Sequence, residues 1–137
     1  MKLRVATIIL VGAAAIAGTA ISAKDARTAK DAKELAEALQ GRAAGAPVDC
    51  MPNLHGQGRM EIIDDNTILF RSGSTLYLQR PRGGCPGIKN GRYTLVLHQV
   101  GAHQVCRGDI HQLVDLQTGV KGGGCVFSEF VPYRKAG

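Results

Sequence analysis

From residue 59 onward, apolar and polar side chains alternate in short runs. Met60 and Ile62, Leu76 and Leu78, and Tyr93, Leu95 and Leu97 occupy every second position between polar neighbours, the period of strands with one solvated face. Strands are therefore predicted over residues 59–63, 67–71, 75–80, 92–99, 104–107, 110–116 and 125–132. Between them stand Asp64-Asp65-Asn66, Ser72-Gly73-Ser74, a long loop over 81–91, Val100-Gly101-Ala102, an interruption at Gly108 and the run Gly122-Gly123-Gly124, read as a flexible connector. Asp64 and Asp65 sit where Asx side chains bond their own backbone. Turns this short make most sequential neighbours antiparallel hairpins. The pattern predicts a mainly β domain of about six strands closing as a small antiparallel barrel, since closure leaves no long exposed edge; a two-sheet sandwich is the alternative.

Residues 24–40 follow a different rule. They are Ala, Lys, Asp and Glu for the most part, strong helix formers, and Arg27/Asp31, Lys30/Glu34 and Lys33/Glu37 are i,i+4 charge pairs. Ala32, Leu35, Ala36 and Leu39 make only a narrow apolar stripe, so the helix is expected to be a spacer, loosely docked or frayed. Gly41 stops it, and residues 42–47 read as a flexible linker. Segment 24–47 is accordingly expected to be dispensable for folding, whereas Phe130 and Tyr133 in the closing strand are not. Before the helix, Met1-Lys2-Leu3-Arg4, an uncharged run over 5–21 and the small-residue exit Ser22-Ala23 read as a secretory signal over 1–23, cleaved after Ser22 or Ala23. The other reading is a retained anchor, but a run of 17 Ala- and Gly-rich residues is at the lower limit of the roughly 17–25 needed to span a bilayer. The β domain then covers 48–134.

Composition narrows the setting. Four cysteines, Cys50, Cys85, Cys106 and Cys125, all follow the signal and none forms a C-x-x-C pair; an even count in a small exported domain points to two disulfides rather than a redox motif or a tetrathiolate zinc site. Cys106 and Cys125 enter successive strands at the same end, which disfavours joining them, and Cys85–Cys106 with Cys50–Cys125 is the expected set. The 17 Lys and Arg against 11 Asp and Glu include Lys2 and Arg4, so the processed chain is only mildly basic. Its arginines are spread one per segment, with Arg80 and Arg82 around Pro81 the densest spot, and no Trp is present. Nucleic-acid binding, which needs a basic stripe and stacking aromatics, is disfavoured.

Asp65-Asn66-Thr67-Ile68-Leu69-Phe70, Tyr77-Leu78, Cys85-Pro86-Gly87, Cys106-Arg107-Gly108-Asp109 and Cys125-Val126-Phe127-Ser128-Glu129-Phe130-Val131-Pro132-Tyr133 together resemble a family of small exported four-cysteine proteobacterial proteins built on a domain of unknown function. The resemblance covers residues 48–133 in order. It implies an exported, periplasmic, Gram-negative protein with no established activity, cofactor or catalytic residue. Ser128 stands where the resemblance leads one to expect Gly, which implies a different local backbone there.

The candidate chemistry is sparse. Arg107, Asp109 and Glu129 are the charged residues inside these motifs and the candidate anion or ligand contacts. A buried Arg107–Glu129 pair would be structural, and an exposed, unpaired Arg107 an anion spot. Arg107-Gly108-Asp109 spells an adhesion tripeptide but reads better as a bulge with Gly108 at positive φ. The imidazoles are His55, His98, His103 and His111. His98 and His103 flank a turn and would face each other on a hairpin as weak metal candidates, although no third ligand lies close. No nucleophile elbow, metalloprotease motif or phosphate loop is present. Two functional readings follow: a non-catalytic, monomeric envelope module that binds or supports an envelope component without a cofactor or stable membrane insertion, and a small hydrolase or lyase using Arg107, Asp109, Glu129 and a His.

Overall fold

The computed structural model describes residues 22–52, 59–97 and 104–137. Within them the chain forms one helix, α1 (Ala23–Ala38), and ten strands: β1 (Arg42–Ala44), β2 (Cys50–Pro52), β3 (Arg59–Asp64), β4 (Thr67–Ser72), β5 (Thr75–Gln79), β6 (Tyr93–Val96), β7 (Gln104–Cys106), β8 (Ile110–Asp115), β9 (Lys121–Val126) and β10 (Phe130–Lys135). The mainly β, antiparallel prediction stands, with three sheets ordered β1-β10-β5-β4-β3, β2-β7 and β6-β8-β9. Among the described residues no sheet closes on itself.

The hairpins β3–β4–β5 form where the alternation placed them. Asp64 Oδ1 accepts from Asn66 N at 2.6 Å and closes the first turn. Asp65 reaches outward instead, accepting from Gly87 N at 3.1 Å and Lys89 N at 2.9 Å, while its carbonyl accepts from Cys85 N at 2.6 Å. One two-residue turn thus anchors the whole 81–91 loop.

Pairing gives the five-stranded sheet two distinct faces. Met60, Phe70 and Tyr77 form one row of the front face, and Ile62, Ile68, Gln79 and Phe130 the next. The front rows pack on Met51, Ile88, Leu95, Val105, Leu113 and Phe127 from the other elements. Phe70, Phe127 and Phe130 meet edge to face with centroids 5.8, 6.4 and 5.9 Å apart, the arrangement aromatic quadrupoles favour. Gln79 is fully buried here but satisfied, because its Nε2 donates to Ser128 O at 3.0 Å and its Oε1 accepts from Ser128 N at 2.8 Å. The Ser128 hydroxyl donates to Arg80 O at 2.6 Å, so the side chain that replaces the expected Gly ties the start of β10 to the end of β5.

Several expectations are corrected. The predicted strand over 125–132 is two strands, with 127–129 crossing between sheets. The glycine run is not a connector but part of β9. Gly122 lies against the Tyr93 ring so closely that a Cβ would overlap it, and a Cβ on Gly87 would lie 2.8 Å from that ring on its other contact. The absence of side chains there makes room for an aromatic. Residues 42–44, expected as linker, add β1 to the edge of β10, Ala44 opposite Tyr133.

The helix is docked. Leu35, Ala38 and Leu39 pack on Ile63, Leu69 and Leu78 of the back face together with Val131 and Tyr133. Lys89 Nζ bridges to Glu34 at 3.1 Å and Asp31 at 3.8 Å and donates to Ile62 O at 3.2 Å. Two of the three acidic residues expected in helix pairs, Asp31 and Glu34, are therefore used across the interface, and Lys33–Glu37 remains as an exposed i,i+4 pair at 3.7 Å. A narrow stripe suffices because the sheet offers a complementary apolar row and the 81–91 loop a cation.

The disulfides are Cys50–Cys106 and Cys85–Cys125, not the expected set. Cys50 is directly opposite Cys106 in the β2–β7 pair. Arg82 bridges to Val126, donating from its N–H to Val126 O at 2.8 Å, which brings the loop carrying Cys85 to β9 and Cys125. The misassignment came from treating residues before 59 as outside the sheets. Both bridges fit an oxidising, non-cytoplasmic setting, and no helix among the described residues is long and apolar enough to cross a membrane.

Candidate functional site

The turn between β7 and β8 gathers the charged residues singled out in the sequence. Gly108 does take positive φ, +90°, in a two-residue turn rather than a bulge. Its N–H donates to Phe127 O at 2.9 Å, and Phe127 N donates to Asp109 O at 3.0 Å, so the turn is sewn to the crossing segment that precedes Glu129. Arg107 Nε is 3.2 Å from Asp49 Oδ1 and Nη1 is 3.9 Å from Glu129 Oε2. Arg107 is thus exposed yet paired, a combination neither expectation covered. An incoming anion meets two carboxylates around one guanidinium. Asp109 is turned inward, its Oδ2 accepting from Cys106 N at 2.7 Å. Asp109 therefore shapes the turn, while Arg107 and Glu129 link three segments at the surface.

The histidines do not join this turn. His111 is fully buried with its ring 4.4 Å from that of Phe127. His55, His98 and His103 lie outside the described residues. Of the described strands, β6 pairs with β8 and β7 with β2. Among the described residues no three His, Cys, Asp or Glu side chains converge on a metal-sized site.

Glu129 lines an opening of about 130 Å³ with Leu78, Arg80, Ser128 and Val131, and larger openings lie elsewhere. One, about 540 Å³, runs between the first half of α1 and the 64–66 and 89–90 turns. Its acidic residues are already engaged, Asp31 by Lys89, Asp64 and Asp65 by backbone N–H groups. Another, about 190 Å³, lies on the back face of the sheet, lined by Arg59, Met60, Glu61, Leu69, Arg71 and Leu76. Here β3 and β4 set Arg59 directly opposite Arg71. These arginines are twelve positions apart in the sequence and were not singled out there. Period-2 alternation did hold the signal, since Arg59 and Arg71 each fall two residues from a back-face position of their own strand.

At the far end of the fold, Asp115 is held below the ordinary carboxylate range, first by the Gln117 backbone N–H, then by that of Thr118, with Arg92 adding to both. Its Oδ1 accepts from those N–H groups at 2.8 and 3.1 Å. It is a turn anchor between β8 and β9, 3.5 Å from Arg92 Nε.

No family model, curated protein or solved structure matches the chain. Its chemistry is read from its own residues.

Proposed function

We propose that this chain is an exported, periplasmic module of the Gram-negative envelope that works by binding and not by catalysis, as a monomer without a cofactor, and that it belongs with the small four-cysteine exported family it resembles. The reading rests chiefly on the state of the candidate catalytic groups. Arg107 is paired with Asp49 and Glu129, Asp109 accepts from the Cys106 N–H, and His111 is packed in the core against Phe127; Glu129 lines a small opening with Arg80 and Ser128, and no histidine joins it there among the described residues. Two disulfides and the basic, apolar, small-residue start support export. Packing of one sheet's front face on elements of the two smaller sheets supports the sandwich over the barrel.

Expression of the full chain in a Gram-negative host tests the address. Oxidised protein in the osmotic-shock fraction, beginning at Ala23 or Lys24, is expected, and an intact Met1 recovered from membranes would overturn it. The purified protein should not turn over ester, phosphate-ester or glycoside model substrates. Turnover abolished by Asp109→Asn or Glu129→Gln would install the hydrolase reading instead.

A further inference from the structure

The back face of the five-stranded sheet is a grid of two rows. Glu61, Leu69, Leu78 and Val131 are register partners in one, and Arg59, Arg71, Leu76, Tyr133 and Ala44 in the other. The helix covers the first row through Leu35 and Leu39, at Leu69, Leu78 and Val131. The second row emerges beyond it, and its β3–β4–β5 end is the 190 Å³ cleft.

We propose that this cleft binds a small organic oxyanion, a phosphate monoester or carboxylate with a short apolar body. Its head sits on the Arg59 and Arg71 guanidiniums and its body lies along Met60 and the arginine stems. Three observations carry the assignment. Like charges directly opposite each other on paired strands repel, and here the repulsion falls between two exposed arginines. Among the described residues neither guanidinium enters a hydrogen bond or ion pair, in contrast to Arg42, Arg92 and Arg107, each of which has an oxygen partner. Arg59, Met60, Glu61 and Arg71 wall the cleft above the nearly fully buried Leu69 and Leu76, and it has the dimensions of a ligand of a few heavy atoms. Two planar forks on neighbouring strands match the oxygens of one phosphate or carboxylate, and the bound charge removes the repulsion. Glu61, on the adjacent row, has no guanidinium within 4 Å in the structure and opposes the anion.

This deepens the binding-module reading and rests on it. The probes are phenyl phosphate and inorganic phosphate, titrated at low ionic strength against the full-chain protein by calorimetry or amide chemical shifts. Phenyl phosphate should bind severalfold more tightly than inorganic phosphate, because the ring stacks on a guanidinium plane and the arginine stems. Arg59→Gln and Arg71→Gln should each weaken phenyl phosphate by about tenfold or more, and Glu61→Gln should strengthen it severalfold. These positions are exposed, so all three variants should melt with the wild-type protein. Unchanged affinity in both arginine variants, equal affinity for the two probes, or binding only to phosphatidylglycerol vesicles would overturn the proposal. Retention of phenyl phosphate without either arginine removes the cleft and leaves the module reading; turnover of phenyl phosphate removes the module reading, and the arginine variants still decide the cleft.

Discussion

The two faces of the five-stranded sheet are built on different physics. The front face is closed by large side chains of its own and of the other elements: three phenylalanines in mutual edge contact, Tyr77, Ile68, Met51, and a disulfide whose two cysteines are fully buried. The back face has fewer and smaller apolar groups, Ile63, Leu69 and Leu78, under a helix none of whose residues is fully buried. What apolar area lacks there is supplied by charge, with Lys89 joined to Asp31 and Glu34. The front face therefore sets the stability of the domain, and the back face, half covered and half charged, is where a ligand can be accommodated without opening the core.

The largest expected effect comes from the front. Phe130→Ala removes a fully buried ring that touches two others and should cost about 3–5 kcal/mol in denaturant unfolding. A loss below that of any back-face variant would erase the distinction between the faces. Next are the staples. Replacing Cys50 and Cys106 together by Ser releases a loop of 56 residues' separation and should cost about 2–4 kcal/mol. Non-reducing peptide maps should contain Cys50–Cys106 and Cys85–Cys125 fragments, and a Cys50–Cys125 fragment would contradict the fold.

On the back face, Leu35→Ala truncates a half-buried side chain and should cost about 1–2 kcal/mol, with aromatic signals of the front core unchanged. A value equal to that of Phe130→Ala would mean that α1 belongs to the core. The smallest effect lies away from both faces. Asp115 has a lowered folded pKa, so its contribution is present above the ordinary carboxylate value and is lost as pH falls through the lowered one. Unfolding of Asp115→Asn compared with the parent at neutral pH and at about pH 3 should show a difference that shrinks on acidification; a difference that grows would reverse the sign of the linkage.

Much of the local structure was written along the chain. Short apolar runs between turn residues, alternating in β3 and β5, located β3, β4, β5 and β8 to within a residue or two, because a strand's preference is decided by its own side chains. Asp64 is legible as a turn residue for the same reason: its partner is two positions away. The Ala-Lys-Glu stretch formed its helix, and the cysteine count named the bridges without naming the pairs. The candidate site was less legible. Arg107, Asp109 and Glu129 are charged members of adjoining motifs, whereas the engagement of Arg107 with Asp49 depends on a segment in which no strand is predicted.

Tertiary structure decided whatever depended on partners far apart in the chain. Segment 42–52 lacks the length and alternation of a strand, and becomes β1 and β2 only because β10 and β7 offer open edges. That choice selects which cysteines meet. A glycine run is featureless until Tyr93 lies against it. Leu35 and Leu39 form a weak stripe until a sheet row faces them. Arg59 and Arg71 are ordinary surface residues in sequence and neighbours only in the β3–β4 register. Local preference is set by each residue and its immediate neighbours, whereas register, docking and disulfide choice minimise free energy over contacts that the linear order does not contain.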